Sequence, residues 1–181
     1  MTTSYVALLR GINVGGKNTV AMADLRNLLG ALGCGNVRTH LNSGNALFTS
    51  GGQDSDALAR KIEASIKTEL GLDVRTLVRS REDLKDVVKR NPLPELAEAE
   101  PAKFTAVFLS GRLDPARLAA IDPAEYAPDR CEPGVKELYA YFPNGLAETK
   151  LTRQFLEGRL GQEVATARNW NTVLKLLSLL S

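Results

Sequence analysis

The sequence predicts an α+β protein: two ferredoxin-like βαββαβ-type halves packed as one compact unit, with a C-terminal helix. Three observations carry that prediction. Short runs of strand-forming apolar residues alternate with helix-period segments in the order β-α-β-β-α-β over residues 1–80. A proline-rich stretch from Asn91 to Pro101 interrupts the chain, and a similar order of elements follows it. In the first strand Tyr5, Ala7 and Leu9 alternate with Val6 and Leu8, so both faces are apolar. A lone ferredoxin-like sheet leaves one face to water, so the second face is expected to be covered by the other half. The domain reading is an N-terminal ferredoxin-like subdomain over 1–90, a Pro-rich acidic connector over 91–103 and a second α+β subdomain over 104–181. No sequence repeat links the halves, and the duplication rests on element order alone.

Taken in order, Tyr5–Leu9 reads as a buried strand. Met22, Leu25, Leu28, Leu29 and Leu32 recur at helical spacing, and Gly33 and Gly35 close that helix. Val37–Leu41 and Ala46–Thr49 are strands joined through Asn42-Ser43-Gly44-Asn45, a hairpin connection with glycine at a turn position. Leu58, Ile62, Ile66 and Leu70 mark the next helix, stopped by Gly71, and Val74–Val78 is a strand. Ser80-Arg81-Glu82-Asp83 resembles a capping box opening a helix through Leu84, Val87 and Val88. In the second half Phe104–Leu109 is a strand, and Asp114-Pro115 begins a helix with proline at its first position. Strands lie around Cys131 and at Leu138–Phe142, a helix at Thr149–Leu160 ends at Gly161, and Val164–Thr166 is a short strand. Trp170, Val173, Leu174, Leu177 and Leu180 line one face of a terminal helix.

Composition removes several function classes. Of 181 residues, 44% are hydrophobic and 24% charged, with a formal net charge of +2, an ordinary globular balance. Residues 1–90 carry 13 Lys and Arg against 9 Asp and Glu, and residues 91–181 carry 10 against 12. That surplus is too thin for the basic stripe of a polynucleotide-binding domain. No apolar run is long enough for a membrane span, and Tyr5–Leu9 is too short for a signal peptide core, so the expected location is the cytoplasm, away from membranes. Cys34 and Cys131 sit far apart and form neither a disulfide framework nor a zinc motif.

The stretch Arg10-Gly11-Ile12-Asn13-Val14-Gly15-Gly16-Lys17-Asn18 holds G-x-x-x-x-G-K but puts Asn18 where a phosphate-binding P-loop needs Ser or Thr. The next helix starts a turn too late, no apolar strand ends in an acid, and a hairpin conflicts with an all-parallel sheet. Nucleotide hydrolysis is therefore rejected. The glycines still permit positive φ and an anion nest of peptide N–H groups flanked by Arg10 and Lys17. The bland account is a long turn with two solvated cations.

The start Tyr5–Asn18, the turn Ser43-Gly44-Asn45, Lys150-Leu151-Thr152 and Arg168-Asn169-Trp170-Asn171-Thr172-Val173 together resemble the bacterial domain-of-unknown-function family 1697 across nearly the whole chain. His40 and Asn42 depart from an aromatic residue and Gln in that family's pattern, and Ala167 from a second Thr. The resemblance implies that these motifs belong together; it brings no activity, cofactor or catalytic residue.

The candidate ligand-facing set is Arg10, Asn13, Gly15, Gly16, Lys17, Asn18, Arg168 and Asn171, with Arg10, Lys17 and Arg168 lining a pocket for phosphate or carboxylate. The loop after the first strand and the Ser43-Gly44-Asn45 turn are expected at opposite ends of the sheet. Asn169 caps the last helix and Trp170 buries. His40, the sole histidine, reads as a mid-strand residue, Cys34 sits where a helix dipole opposes a thiolate, and no metal-ligand cluster or cofactor motif is present. Tyr5 and Phe48 alone do not make the stacking platform of an RNA-recognition fold. No residue pattern names a reaction. Two classes stand: a binding module or enzyme for a small anionic ligand, such as a nucleotide or nucleic-acid phosphate, and a structural or protein-interaction module whose motifs only stabilise the fold.

Overall fold

A computed structural model describes residues 1–181. The chain divides into two units, Met1–Lys85 with Leu176–Ser181, and Asp86–Lys175. The first contains β1 (Thr3–Leu9), α1 (Met22–Ala31), β2 (Gly35–His40), β3 (Asn45–Ser50), α2 (Ser55–Leu70) and β4 (Thr76–Ser80), and α3 (Arg81–Lys89) begins in it. Its sheet has the order β2-β3-β1-β4, every neighbour antiparallel. This is the ferredoxin-like arrangement that the element order predicts.

Local chemistry sets the helix ends. Asp54 Oδ2 accepts the Ala57 N–H at 2.9 Å, and Gly71 ends α2 in the left-handed conformation with φ 69°. The Ser80 capping box is real: Ser80 Oγ accepts from the Asp83 N–H at 3.1 Å while Asp83 Oδ2 accepts from the Ser80 N–H at 2.8 Å. Inside, Tyr5, Ala7, Leu9, Phe48 and Val78 pack with Leu25, Leu29, Ile62 and Ile66 of α1 and α2. Val6 and Leu8 on the opposite face of β1 are also fully buried. Arg38 on edge strand β2 donates from Nη2 to the Leu179 carbonyl, tying the C-terminal residues to the same unit.

The second unit repeats the plan. Its elements are α4 (Pro94–Ala99), β5 (Phe104–Leu109), α5 (Pro115–Ala119), β6 (Arg130–Pro133), β7 (Glu137–Tyr141), α6 (Arg153–Leu160), β8 (Ala165–Asn169) and the start of α7 (Trp170–Leu179). The strand order is β6-β7-β5-β8, again all antiparallel. Asp114 and Thr152 cap α5 and α6, and Gly161 closes α6 at φ 65°. On one sheet face Trp170 meets Phe104 edge-on at 5.3 Å, and the Tyr139 hydroxyl donates to the Val87 carbonyl at 2.6 Å. On the other, Val107, Leu109, Leu138, Leu156 and Leu160 form the core beneath α5 and α6.

Some boundaries differ from the sequence expectation for physical reasons. β4 begins at Thr76 rather than Val74, because Glu63 Oε1 accepts the Thr76 N–H at 2.8 Å and sets where pairing starts. α6 begins at Arg153 rather than Thr149, since Thr149 is drawn to Asp129 and Thr152 takes the cap. The buried stripe of α7 is Trp170, Val173 and Leu176, with Leu180 buried just past its end, leaving Leu174 42% exposed. No helix is long and apolar enough to cross a membrane.

Gly30 lies within α1, and a Cβ there meets nothing within 4 Å. Gly30→Ala is expected to raise stability by about 0.5–1 kcal/mol, read as a shifted midpoint in urea unfolding.

Candidate functional site

The chain leaves β1 under restraint from both sides. The Leu9 N–H donates to the Gly44 carbonyl at 2.9 Å and the Arg10 N–H to the Arg75 carbonyl at 3.0 Å. Between Gly11 and Asn18 the backbone enters the left-handed region at Gly11, Asn13, Gly15, Gly16 and Asn18. Only glycine and asparagine stand there, the two residues that tolerate it best. The Asn13 N–H donates to the Asn18 carbonyl at 3.2 Å and the Lys17 N–H to the Val14 carbonyl at 3.1 Å, so the stretch is a miniature hairpin. Positive φ at both Gly15 (60°) and Gly16 (73°) marks its tip as a type I′ turn.

The asparagines are fasteners. Asn13 Nδ2 donates to the Val20 carbonyl at 2.9 Å and to the Asn42 carbonyl at 2.7 Å, while its Oδ1 accepts the Val20 N–H at 2.8 Å. Asn18 Nδ2 donates to the Gly11 carbonyl at 3.2 Å. Ile12 folds back into the core with no exposure, Arg10 is half-buried, and Val14, Gly15, Gly16 and Lys17 are exposed.

The expectation that this loop and the 42–45 turn lie at opposite ends of the sheet is overturned. Antiparallel pairing sets Leu8 opposite Asn45, so the end of β1 and the start of β3 share one end. Gly44, at φ +100°, is squeezed between Leu9 and Ile12: a Cβ there would stand 2.8 Å from Leu9 Cβ and 2.9 Å from Ile12 Cδ1. Asn45 is fully buried and donates from Nδ2 to the His40 carbonyl at 2.9 Å, closing the turn. Leu41 is 54% exposed at φ 62°, and the exposed Val14 belongs to the hairpin fastened to this turn. Periodicity gives no hint of that fastening; a Gly-Gly pair between Val14 and Lys17 is the signal from which the hairpin itself was readable.

Arg168 and Asn171 belong to the second unit. Arg168 is buried on β8, its Nη1 donating to Thr166 Oγ1 at 2.9 Å and to the Ala167 carbonyl at 2.8 Å, and desolvation pulls its pKa down to about 10. Asn169 Oδ1 accepts the Thr172 N–H at 3.0 Å as the cap of α7, and Trp170 is buried. Asn171 is exposed on the first turn of that helix.

Among other reactive groups, burial pushes both thiols up, Cys34 against the pull of Lys61 and Cys131 against the Tyr126 hydroxyl. Tyr5 and Phe48 stack at 5.6 Å inside the core, where no base can reach them. No group of three His, Cys, Asp or Glu side chains is placed to hold a metal ion.

Two substitutions test the fasteners. Asn13→Gly keeps the left-handed backbone but deletes the side-chain bonds, and is expected to cost about 1–3 kcal/mol with faster exchange of the Val20 amide. Gly44→Ala adds both strain and a clash and is expected to cost about 2–4 kcal/mol in chemical denaturation.

Comparison with known proteins places this geometry. The family described as "Protein of unknown function (DUF1697)" matches residues 1–139. The conserved bacterial protein SP0830 from Streptococcus pneumoniae has a similar solved structure, 27% identical, with a TM-score of 0.77 and all of both chains covered. No curated protein matches the chain. With its hairpin, its Gly44 turn and most of its length inside the matched segment, the chain belongs to the DUF1697 family.

Proposed function

We propose that the N-terminal hairpin is a recognition element for a small anionic ligand bearing phosphate or carboxylate, a nucleotide or nucleic-acid phosphate included. One observation carries the reading: the strand-to-helix connection of the first unit is longer than the topology requires. The second unit makes the same strand-to-helix connection with Ser110–Asp114, whereas the first uses Arg10–Ala21. Both connections keep the same tie, from the last residue of the strand to the hairpin turn: Leu9 N–H to the Gly44 carbonyl, and Leu109 N–H to the Lys136 carbonyl. The added residues are fastened at several points and raise Lys17 with the Gly15 and Gly16 peptide N–H groups on an exposed, preorganised tip. Arg10 stands at the base. In this reading Asn13 and Asn18 shape the site rather than touch the ligand, and Arg168 acts inside its own unit.

The second reading, a structural or protein-interaction module, has its own support. Asn13, Asn18 and Arg168 all spend donors on main-chain carbonyls, and the exposed residues of the hairpin and the turn include the apolar Val14 and Leu41.

Titration with inorganic phosphate and with AMP at constant ionic strength, followed by ¹H–¹⁵N spectra, separates them. The anion reading expects saturable shifts at the Gly15, Gly16 and Lys17 amides, weakened about fivefold in Lys17→Ala. Flat spectra, or shifts indifferent to Lys17→Ala, leave the interaction module as the function.

A further inference from the structure

The second unit holds a cavity of about 210 Å³ beneath α6. Its floor is the sheet: Val107 of β5 stands opposite Ala167 of β8, with Ala165 beside them. At the equivalent places of the first unit, opposite Ala7 and Leu9, β4 offers Val78 and Thr76. At these two places β8 presents only methyl groups, and the space over them is not filled from the sheet. Phe142, Leu151 and Leu156, all buried, form the walls, and Leu146 stands at the mouth with 60% of its surface exposed.

The polar lining is almost fully committed. Thr149 Oγ1 donates to Asp129 Oδ2 and accepts the Leu151 N–H at 3.0 Å, and Thr152 Oγ1 accepts the Phe155 N–H at 3.2 Å as the cap of α6. Arg153 differs: it is exposed, lines the cavity, and its side chain makes no hydrogen bond or ion pair within the chain. An apolar chamber with one cation at its rim and no acid in its lining selects for charge as well as for shape.

We infer that this cavity binds a small amphipathic monocarboxylate, its hydrocarbon body over Ala165 and Ala167 and its carboxylate on the Arg153 guanidinium. A dry apolar cavity of about 150 Å³ accepts a benzene-sized guest, so the chamber suits a body of roughly six to eight carbons. The guanidinium offers two parallel N–H donors to both carboxylate oxygens, which an ammonium does not. This site is independent of the hairpin, and neither proposal needs the other.

Hexanoate is the probe, with hexan-1-ol and acetate as controls, read by ¹H–¹⁵N shifts and by thermal unfolding of the full chain. Hexanoate is expected to move the Ala165, Ala167 and Leu156 amides saturably and to raise Tm, with hexan-1-ol about fivefold weaker and acetate silent. Arg153→Gln, a surface change that leaves the core alone, should bring hexanoate down to the level of the alcohol. Ala167→Leu fills the chamber and should abolish binding without lowering Tm. The inference is overturned if hexanoate gives no saturable shift at these amides, if alcohol and acid bind alike to the unaltered protein, or if Arg153→Gln binds hexanoate as before.

Discussion

Leu8 of β1 stands opposite Asn45 of β3, and just beyond that pair the Leu9 N–H donates to the Gly44 carbonyl. The organisation of the first unit's upper end depends on this register. It fixes the turn between β2 and β3 against the exit of β1, so that Gly44 must pass between Leu9 and Ile12 where no Cβ fits. It also puts the Asn42 carbonyl within reach of Asn13, whose amide then spans from its own loop to the neighbouring turn. A one-residue slip between β1 and β3 would part Tyr5 from Phe48, turning one of them to the other face of the sheet, and would break both ties at once.

The loop that results is stiff by construction. Left-handed backbone is costly for most residues, by about 1–2 kcal/mol each, and here glycine or asparagine meets that cost at every position. Glycine alone would leave the loop mobile when unfolded and expensive to order. Asparagine at Asn13 and Asn18 returns part of that entropy as hydrogen bonds to main-chain carbonyls, which would otherwise need water. The alternation of the two residue types is thus a division of labour between permission and fastening.

Much of this was legible in the sequence, and the parts that were not have identifiable causes. Helix starts at Ser80 and Asp114 are readable because a cap is local chemistry, and the same holds for the glycine stops at Gly71 and Gly161. The two βαββαβ units followed from element order, with the identical strand orders now seen in both sheets. Adjacency of the Gly11–Asn18 loop and the 42–45 turn is misjudged from the sequence although the predicted fold implies it: a helical crossover leaves β1 and β2 parallel, so the exit of β1 and the β2–β3 turn share one end. The buried face of α7 was misassigned because leucines at 174, 176, 177 and 180 fit more than one helical stripe, and only tertiary packing chooses Leu176 over Leu174. Arg168 reads as a ligand arm in the sequence because an arginine is normally solvated. Its burial comes from its place on β8, where Thr166 and the Ala167 carbonyl receive it.

The two units also show what a shared strand order leaves free to vary. Each sheet keeps the strand order, the antiparallel register and the tie from the end of its first strand to its hairpin turn. Around that shared frame the filling differs. In the first unit Tyr5 and Phe48 stack across neighbouring strands and consume the space beneath the helices; the paired positions in the second unit hold Thr105 and Ala140. Small residues there, together with Ala165 and Ala167 on β8, leave packing to Phe142 and Leu156, which reach over the sheet from outside it. A centre of small residues lacks the volume that an aromatic pair supplies, and what Phe142 and Leu156 do not refill stays open. The hollow is accordingly a consequence of which residues occupy the central strands, and the extended hairpin a consequence of which connection was lengthened. Neither change disturbs the register on which the fold stands.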